Sequence, residues 1–362
     1  MNQKRAVFLD VAGIVGSAVL AIVCGFVIIL LVSDQPFQAI SSFLAGPLSN
    51  AFHLSTVINK AIPLVFTGLA LAVVFQANVF SMGAEGQLYV GGFAGALAAL
   101  YVTGIPVWLH VPLILLCAIA GGVLFGAIAG VLKARWDANE VVTTLMLNYV
   151  AIIMTSYLVN NVFKDPASGG YARMAFFDRD LLLPKLSGTF PVHAGIFLAV
   201  AAVILVYVLL YKTKIGYELR LVGKNDKFAR YGGILTKRVV VVSVMISGGL
   251  AGLAGIVELL GVHGTYKDNF SVGLGFDGII IALLARNHPI GVLLSALFYA
   301  YLQVGGQIMQ AESDVSRELA IIIQVLLVLF VSAQAVFGYL KQRAILRQRK
   351  PSGEGKVNAD VV

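Results

Sequence analysis

Residues Val107–Leu132 read VWLHVPLILLCAIAGGVLFGAIAGVL, 26 positions without an Asp, Glu, Lys or Arg. As a helix rising about 1.5 Å per residue, this stretch is long enough to cross a hydrocarbon layer of roughly 30 Å. Similar runs lie on either side of it. Candidate spans are Phe8–Ser33, Val57–Phe75, Leu88–Thr103, Val141–Asn160, His193–Tyr211, Val239–Val262, Pro289–Met309 and Glu318–Leu340. A shorter apolar piece, Phe276–Ala285, is a part-span or a broken helix, because ten residues fall well short of a full crossing. Over the whole chain of 362 residues, 59% are hydrophobic and 12% charged. Soluble domains carry about 45–50% and 25%. A water-soluble enzyme, a disordered chain and a disulfide scaffold are excluded; the two cysteines, Cys24 and Cys117, both lie inside apolar runs. The fold class is an all-α polytopic membrane protein with about eight to ten transmembrane helices. The first run, Val11–Val32, exceeds a signal-peptide core and has no small-residue cleavage pattern before Asp34 and Pro36, so it reads as a retained span.

The formal charge of +8 would suggest nucleic acid in a soluble protein; here its placement matters more. With the N-terminus inside and ten crossings, 19 Lys and Arg fall on inner segments and 7 on outer ones. The inverted topology would break the positive-inside rule. Both termini are therefore expected in the cytoplasm. The membrane domain covers residues 1–340, with an inner loop at 212–238 and an outer loop at 161–192 that is long enough to be expected functional or disordered. Residues 341–362 form a basic tail that fixes orientation beside anionic lipid and ends in a disordered segment.

Glycine recurs at four-residue spacing in Gly91/Gly95, Gly122/Gly126/Gly130 and Gly248/Gly252, which favours close packing of helix backbones in lipid. Two other glycine-rich stretches resemble each other. Asn78-Val-Phe-Ser-Met-Gly-Ala-Glu85-Gly-Gln87 and Asn269-Phe-Ser-Val-Gly-Leu-Gly-Phe-Asp277-Gly278 both contain Phe-Ser-x-Gly, then an acid and a glycine, then an apolar run. The topology puts the first at the inner start of an outgoing span and the second at the outer start of an ingoing one. That is the pattern of an inverted repeat with interrupted helices beside a translocation path.

Polar groups at membrane depth are costly and tend to face a cavity or a partner. On that ground Asn78, Glu85, Gln87, Asn148, Tyr149, Glu258, Asp277 and Gln303 are candidates for lining a path. Alternatives stay open: Glu85 and Asp277 as helix N-terminal acids favoured by the dipole, Glu258 as a paired carboxylate, the amides as helix-to-helix hydrogen bonds. Tyr157, Tyr266 and Tyr299 could stack on a planar ring or belong to interfacial belts. In the inner loop, Gly216 and Gly223 bracket one to two helical turns and Lys227–Tyr231 could form another. Tyr217, Leu219, Leu221, Val222, Phe228 and Tyr231 are too apolar for a purely solvated loop and suit docking on a cytoplasmic protein. Neither a phosphate-binding G-x-x-x-x-G-K-[ST] loop nor H-E-x-x-H nor G-x-S-x-G occurs, and the five histidines are scattered. The chain is thus expected to have no ATPase motif of its own, and to be neither an enzyme nor a nucleic-acid binder.

These residues carry a resemblance. Asn78–Gln87, Ala138-Asn-Glu140-Val-Val-Thr-Thr-Leu-Met-Leu-Asn148-Tyr149, Gly216–Ile234 and Ala282-Leu-Leu-Ala-Arg286-Asn-His-Pro289 together resemble the membrane permease subunit of ATP-binding-cassette importers of the branched-chain amino acid/ribose type. The nucleoside-importer branch is nearest, and the likeness covers roughly residues 10–340. It implies a pore for nucleosides working by alternating access, with sugars or branched-chain amino acids as the sibling cargo. It implies a second, homologous permease (a heterodimer), a cytoplasmic ATP-binding subunit that uses ATP and Mg, and an extracytoplasmic binding lipoprotein. It implies no cofactor in this chain. It also implies that Gly216, Tyr217, Glu218, Leu219, Arg220, Gly223, Asn225, Ala229 and Gly233 form the coupling loop. The sequence departs from the family pattern at Ser81, where Asn is usual, and at Lys224 and Asp226-Lys227-Phe228, where small residues or proline are usual. A different class, an ion-coupled secondary transporter using Glu85, Glu258 or Asp277 for protons, remains the rival.

Overall fold

The computed structural model describes residues 33–316 except 189 and 272, together with 27, 29, 30, 318–322, 325 and 326. The chain divides into two units. In the first, residues 1–36 and 314–362, Asp314 accepts hydrogen bonds from Ser33 Oγ at 2.5 Å and from the Asp34 N–H at 2.6 Å. Those bonds hold the Asp314 carboxyl below the usual carboxylate range. Most of the expected spans Phe8–Ser33 and Glu318–Leu340, and the tail, lie outside the described residues.

The second unit, residues 37–313, is helical. Its helices are α1 (Pro36–Leu44, which starts one residue earlier), α2 (Ala51–Gln76), α3 (Ala84–Tyr101), α4 (Val107–Trp136), α5 (Glu140–Tyr157) and α6 (Gly195–Lys212). Then follow α7 (Lys214–Lys224), α8 (Asp226–Tyr231), α9 (Thr236–Glu258), α10 (Leu274–Leu284) and α11 (Pro289–Glu312). Side-chain caps start several of them: Asn50 accepts from the His53 N–H, Asn139 from Val141 and Val142, Thr213 from Gly216, and Asn225 from Phe228. Helices α5 and α9 each finish in a π turn, Leu158–Val162 and Leu259–His263. Among the described residues, six segments are long and apolar enough to cross a membrane: α2, α4, α5 with its π turn, α6, α9 with its π turn, and α11. Helix α3 is less apolar at its start, where Glu85 and Gln87 lie, and α10 has only 11 residues. Each expected span within the described residues corresponds to one helix.

Helix α2 is the centre; 83% of its most apolar window is buried, against 22% for α4 and α5. Helices α6, α9, α10 and α11 pack around it. The glycine spacing acts as expected. A Cβ at Gly122 would lie 2.0 Å from the Gly248 carbonyl oxygen, and one at Gly248 2.2 Å from that of Gly122. A Cβ at Gly91 would lie 2.3 Å from the Gly252 Cα, and one at Gly126 2.8 Å from the Val244 carbonyl oxygen. Helices α3, α4 and α9 therefore touch backbone to backbone, a separation that any larger side chain would prevent.

Three expectations need revision. Gly216 and Gly223 do not bracket α7; both lie within it, because each faces a backbone carbonyl too close for a side chain. Helix α1 was not foreseen, its nine residues being too few for a span signal. The 161–192 loop, expected to be functional or disordered, is strapped to the chain after α9. The Met174 N–H donates to Tyr266 O, Phe177 to Gly264 O and Leu183 to Leu260 O, while Thr265 Oγ1 donates to Met174 O. Arg173 pairs with Asp165 at 3.3 Å and lies over the Phe176 ring.

Candidate translocation site

Helix α2 ends at Gln76 and α3 begins at Ala84; the seven residues between are not helical. Asn78 turns the chain with φ +57°, a left-handed conformation for which Asn is better suited than most non-glycine residues. The freed backbone groups then find side chains, as buried peptide groups must. Thr144 Oγ1 accepts from the Met82 N–H at 3.0 Å. Asn148 Nδ2 donates to Met82 O at 2.8 Å, and its Oδ1 accepts from the Gly86 N–H at 2.9 Å. Asn148 is thus committed to clamping the first interrupted segment.

The second repeat is built alike. Asn269 has φ +54° and Gly273, the N-cap of α10, φ +83°. Gly83 is the N-cap of α3. In both, a left-handed Asn lies four or five residues before a glycine N-cap. The two helix starts meet. The Glu85 carboxylate, from the first turn of α3, accepts from the Gly275 N–H at 2.6 Å, Ser271 Oγ at 3.0 Å and the Gly273 N–H at 3.3 Å. Glu85 therefore caps α10, the other repeat's helix, and does so while buried. A Cβ on Gly275 would lie 2.3 Å from Glu85 N, so that position holds glycine by contact. Tyr89 ties the same junction, its hydroxyl donating to Ser271 O at 2.7 Å and contacting Asn269 Oδ1 at 3.3 Å.

Asp277, one turn into α10, accepts from Tyr299 OH at 2.6 Å and Gln303 Nε2 at 2.9 Å, both on α11. Glu258 Oε1 lies 3.6 Å from His263 Nε2, and its Oε2 is buried without a hydrogen bond among the described residues. Lys60 on α2 is electrostatically attracted to both Glu258 and Asp277. Gln87 is buried, with Oε1 lacking a hydrogen-bond partner among the described residues. The structure thus gathers Glu85, Asp277 and Gln303 around the start of α10, with Glu258 and Lys60 in electrostatic reach. Asn78 and Tyr149 are exposed and stand apart from that cluster. Of the three tyrosines, Tyr266 and Tyr299 are buried and Tyr157 is exposed. Sequence reading passed over Ser271, Tyr89 and Lys60. Lys60 carried a signal, a cation inside the run Val57–Phe75; Ser271 lay within the repeated Phe-Ser-x-Gly.

The α7–α8 segment packs against the end of α2. A Cβ at Gly223 would lie 2.0 Å from the Gln76 carbonyl oxygen, and one at Gly216 2.0 Å from that of Leu209. Gln76 in turn donates through Nε2 to Asn287 O at 3.2 Å. Leu219, Val222 and Ala229 are buried, whereas Tyr217, Phe228 and Tyr231 are exposed. The Arg220 guanidinium lies over the Tyr211 ring at 4.9 Å and donates to Gly216 O. Glu218 lies 3.9 Å from Lys214, Asn225 caps α8, and Gly233 leaves it with φ +81°.

Residues 53–332 match the family described as "Branched-chain amino acid transport system / permease component". Among curated relatives, the glucose ABC transporter permease protein TsgB13 of Haloferax volcanii is 36% identical, over 88% of this chain and 86% of its own. The guanosine ABC transporter permease protein NupP of Bacillus subtilis is 34% identical over 90% and 95%. The nucleoside ABC transporter permease protein NupB of Lactococcus lactis subsp. cremoris is 28% identical over 95% of each chain.

Proposed function

The chain belongs to the branched-chain amino acid transport system permease family, and on that premise we propose that it is the permease subunit of an ATP-driven importer whose cargo is a nucleoside. The observation that carries the mechanism is the junction at Glu85. There the starts of two oppositely directed interrupted helices are held by one carboxylate. One of those helices is continuous, through residues 77–83 and Gln76, with the contact at Gly223. Alternating access would make and break this junction: a push on α7–α8 reaches Gln76, moves the start of α3 and changes its hold on α10. Asp277, Gln303, Glu258 and Gln87 are the groups that a polar solute would meet near it, with Asn78 and Tyr149 toward its margins. The similarity to TsgB13 supports a sugar as the second reading of cargo.

In this reading α7 and α8 lie in the cytoplasm and dock on an ATP-binding subunit through Tyr217, Phe228 and Tyr231. Burial of that exposed apolar surface favours association. The ATP and Mg belong to that partner. A second permease covers the exposed face of α5 formed by Val142 and Met146, and a binding lipoprotein delivers the solute from outside. The test is uptake of labelled guanosine by cells carrying the complete importer, with unlabelled nucleosides, glucose and leucine as competitors. Guanosine uptake that nucleosides alone compete supports the first reading, absent guanosine uptake beside ATP-driven uptake of labelled glucose supports the second, and ATP-independent uptake contradicts both.

A further inference from the structure

A cleft of about 320 Å³ opens between the last turns of α5 and the turn at Asp268–Asn269, at the small end of the roughly 300–1,000 Å³ of small-molecule sites. Helix α5 leaves its regular path here in the π turn Leu158–Val162, a distortion that recurs at functional positions. One wall is polar. Asp268 Oδ2 accepts from Ser156 Oγ at 3.1 Å and Asn160 Nδ2 at 3.2 Å, which leaves Oδ1 without a hydrogen bond among the described residues. Asn161 and Asn269 complete that wall. The facing wall is Ile152, Ile153 and the Tyr157 ring, with Ile153 and Tyr157 exposed. No Lys, Arg or His lines the cleft.

Resting on the import reading above, we propose that this cleft is a solute subsite for a neutral, hydroxylated ring, such as a ribosyl or hexosyl group. Hydroxyls of the ring donate to Asp268 Oδ1 and exchange hydrogen bonds with Asn161 and Asn269. The less polar face of the ring lies on Tyr157 and Ile153. A carboxylate without a cation beside it in the wall repels phosphate, so the subsite takes a nucleoside or sugar and rejects its phosphorylated form. The subsite also touches the machinery. Asn269 Oδ1 contacts the Tyr89 hydroxyl, which donates to Ser271 O, and the Ser271 hydroxyl holds Glu85. An occupant that engages Asn269 is thus linked to the junction of the two interrupted helices.

The experiment places Ile153→Cys in the purified full chain with Cys24→Ser and Cys117→Ser, and follows maleimide labelling in the presence of guanosine, glucose, guanosine monophosphate or glucose 6-phosphate. Slowed labelling with a neutral solute and unchanged labelling with its phosphorylated form is the expected result. Adding Asp268→Asn should raise the solute concentration needed by about ten-fold, the scale of one hydrogen bond to a charged group. Tyr157→Ala should do likewise. No protection by either neutral solute, or equal protection by neutral and phosphorylated forms, overturns the proposal. Labelling needs neither ATP nor transport, so it is read separately from uptake by the complete importer, whose failure would instead sink the import reading.

Discussion

Removal of the Glu85 side chain should loosen the contact between the two repeats by an amount that the geometry bounds. The carboxylate makes two bonds of good length, to the Gly275 N–H at 2.6 Å and Ser271 Oγ at 3.0 Å, and a longer one to the Gly273 N–H at 3.3 Å. Hydrogen bonds to a charged group contribute about 1.5–3 kcal/mol each. Glu85→Ala should therefore cost about 3–6 kcal/mol, with the Gly275 and Gly273 N–H groups left buried at a helix start. Glu85→Gln has the same shape. Its oxygen can accept from Gly275 and its amide can donate to Ser271 Oγ. What it loses is the charge at the α10 N-terminus and the long third bond, about 1–2 kcal/mol. The assay is equilibrium unfolding of the purified chain in mixed micelles as the denaturing detergent fraction rises, read by tyrosine and tryptophan fluorescence. Alanine must destabilise by at least about 2 kcal/mol more than glutamine. If both cost less than 1 kcal/mol, or glutamine costs as much as alanine, Glu85 does not cap α10 and the junction is wrongly drawn.

Other consequences follow from the same contacts. Gly122→Val should prevent correct packing of α4 on α9, because the new Cβ meets a carbonyl oxygen at 2.0 Å, while Gly188→Ala, with open space around it, should change the yield of folded protein little; size-exclusion recovery compares them. Gly223→Ala should push α7 off the end of α2 and cut ATP-driven uptake ten-fold or more, since its methyl would lie 2.0 Å from Gln76 O; unchanged uptake would remove α7 from the coupling route. Asn148→Ala should cost about 2–3 kcal/mol in the same unfolding assay, for two lost buried hydrogen bonds. Asp314, whose pKa the Ser33 and Asp34 donors lower, gives a contact that is present at neutral pH and lost only as pH falls below the ordinary carboxylate range. Hydrogen exchange at the Asp34 amide should therefore stay slow at pH 5 and become fast there in Asp314→Asn.

The helices were legible because lipid demands long apolar runs and close backbone packing demands small residues; Val107–Leu132 and Gly122/Gly126/Gly130 carry both signals openly. The paired motifs were legible as local likeness, since Asn, Ser and Gly are what an interrupted helix needs. What the sequence could not supply was which ends meet. Glu85 offered its own α3 N-terminus as the nearest helix to stabilise, and only tertiary packing turns it onto α10, 190 residues away. Gly216 and Gly223 misled for a related reason. Glycine reads locally as a helix boundary, yet here it is required inside α7 by carbonyls of Leu209 and Gln76 that are set by the fold. For Asn148, read both as a candidate path residue and as a source of helix-to-helix hydrogen bonds, only the fold places the free backbone of Met82 and Gly86 beside its amide.

The import claim stands or falls on the source of energy. Liposomes carrying the complete importer, with its binding protein outside and ATP sealed inside, should accumulate labelled nucleoside or sugar against its gradient, and should keep doing so when a protonophore abolishes the proton gradient. Accumulation that needs no ATP and collapses with the protonophore would contradict the account and return Glu85, Glu258 and Asp277 to the role of proton carriers.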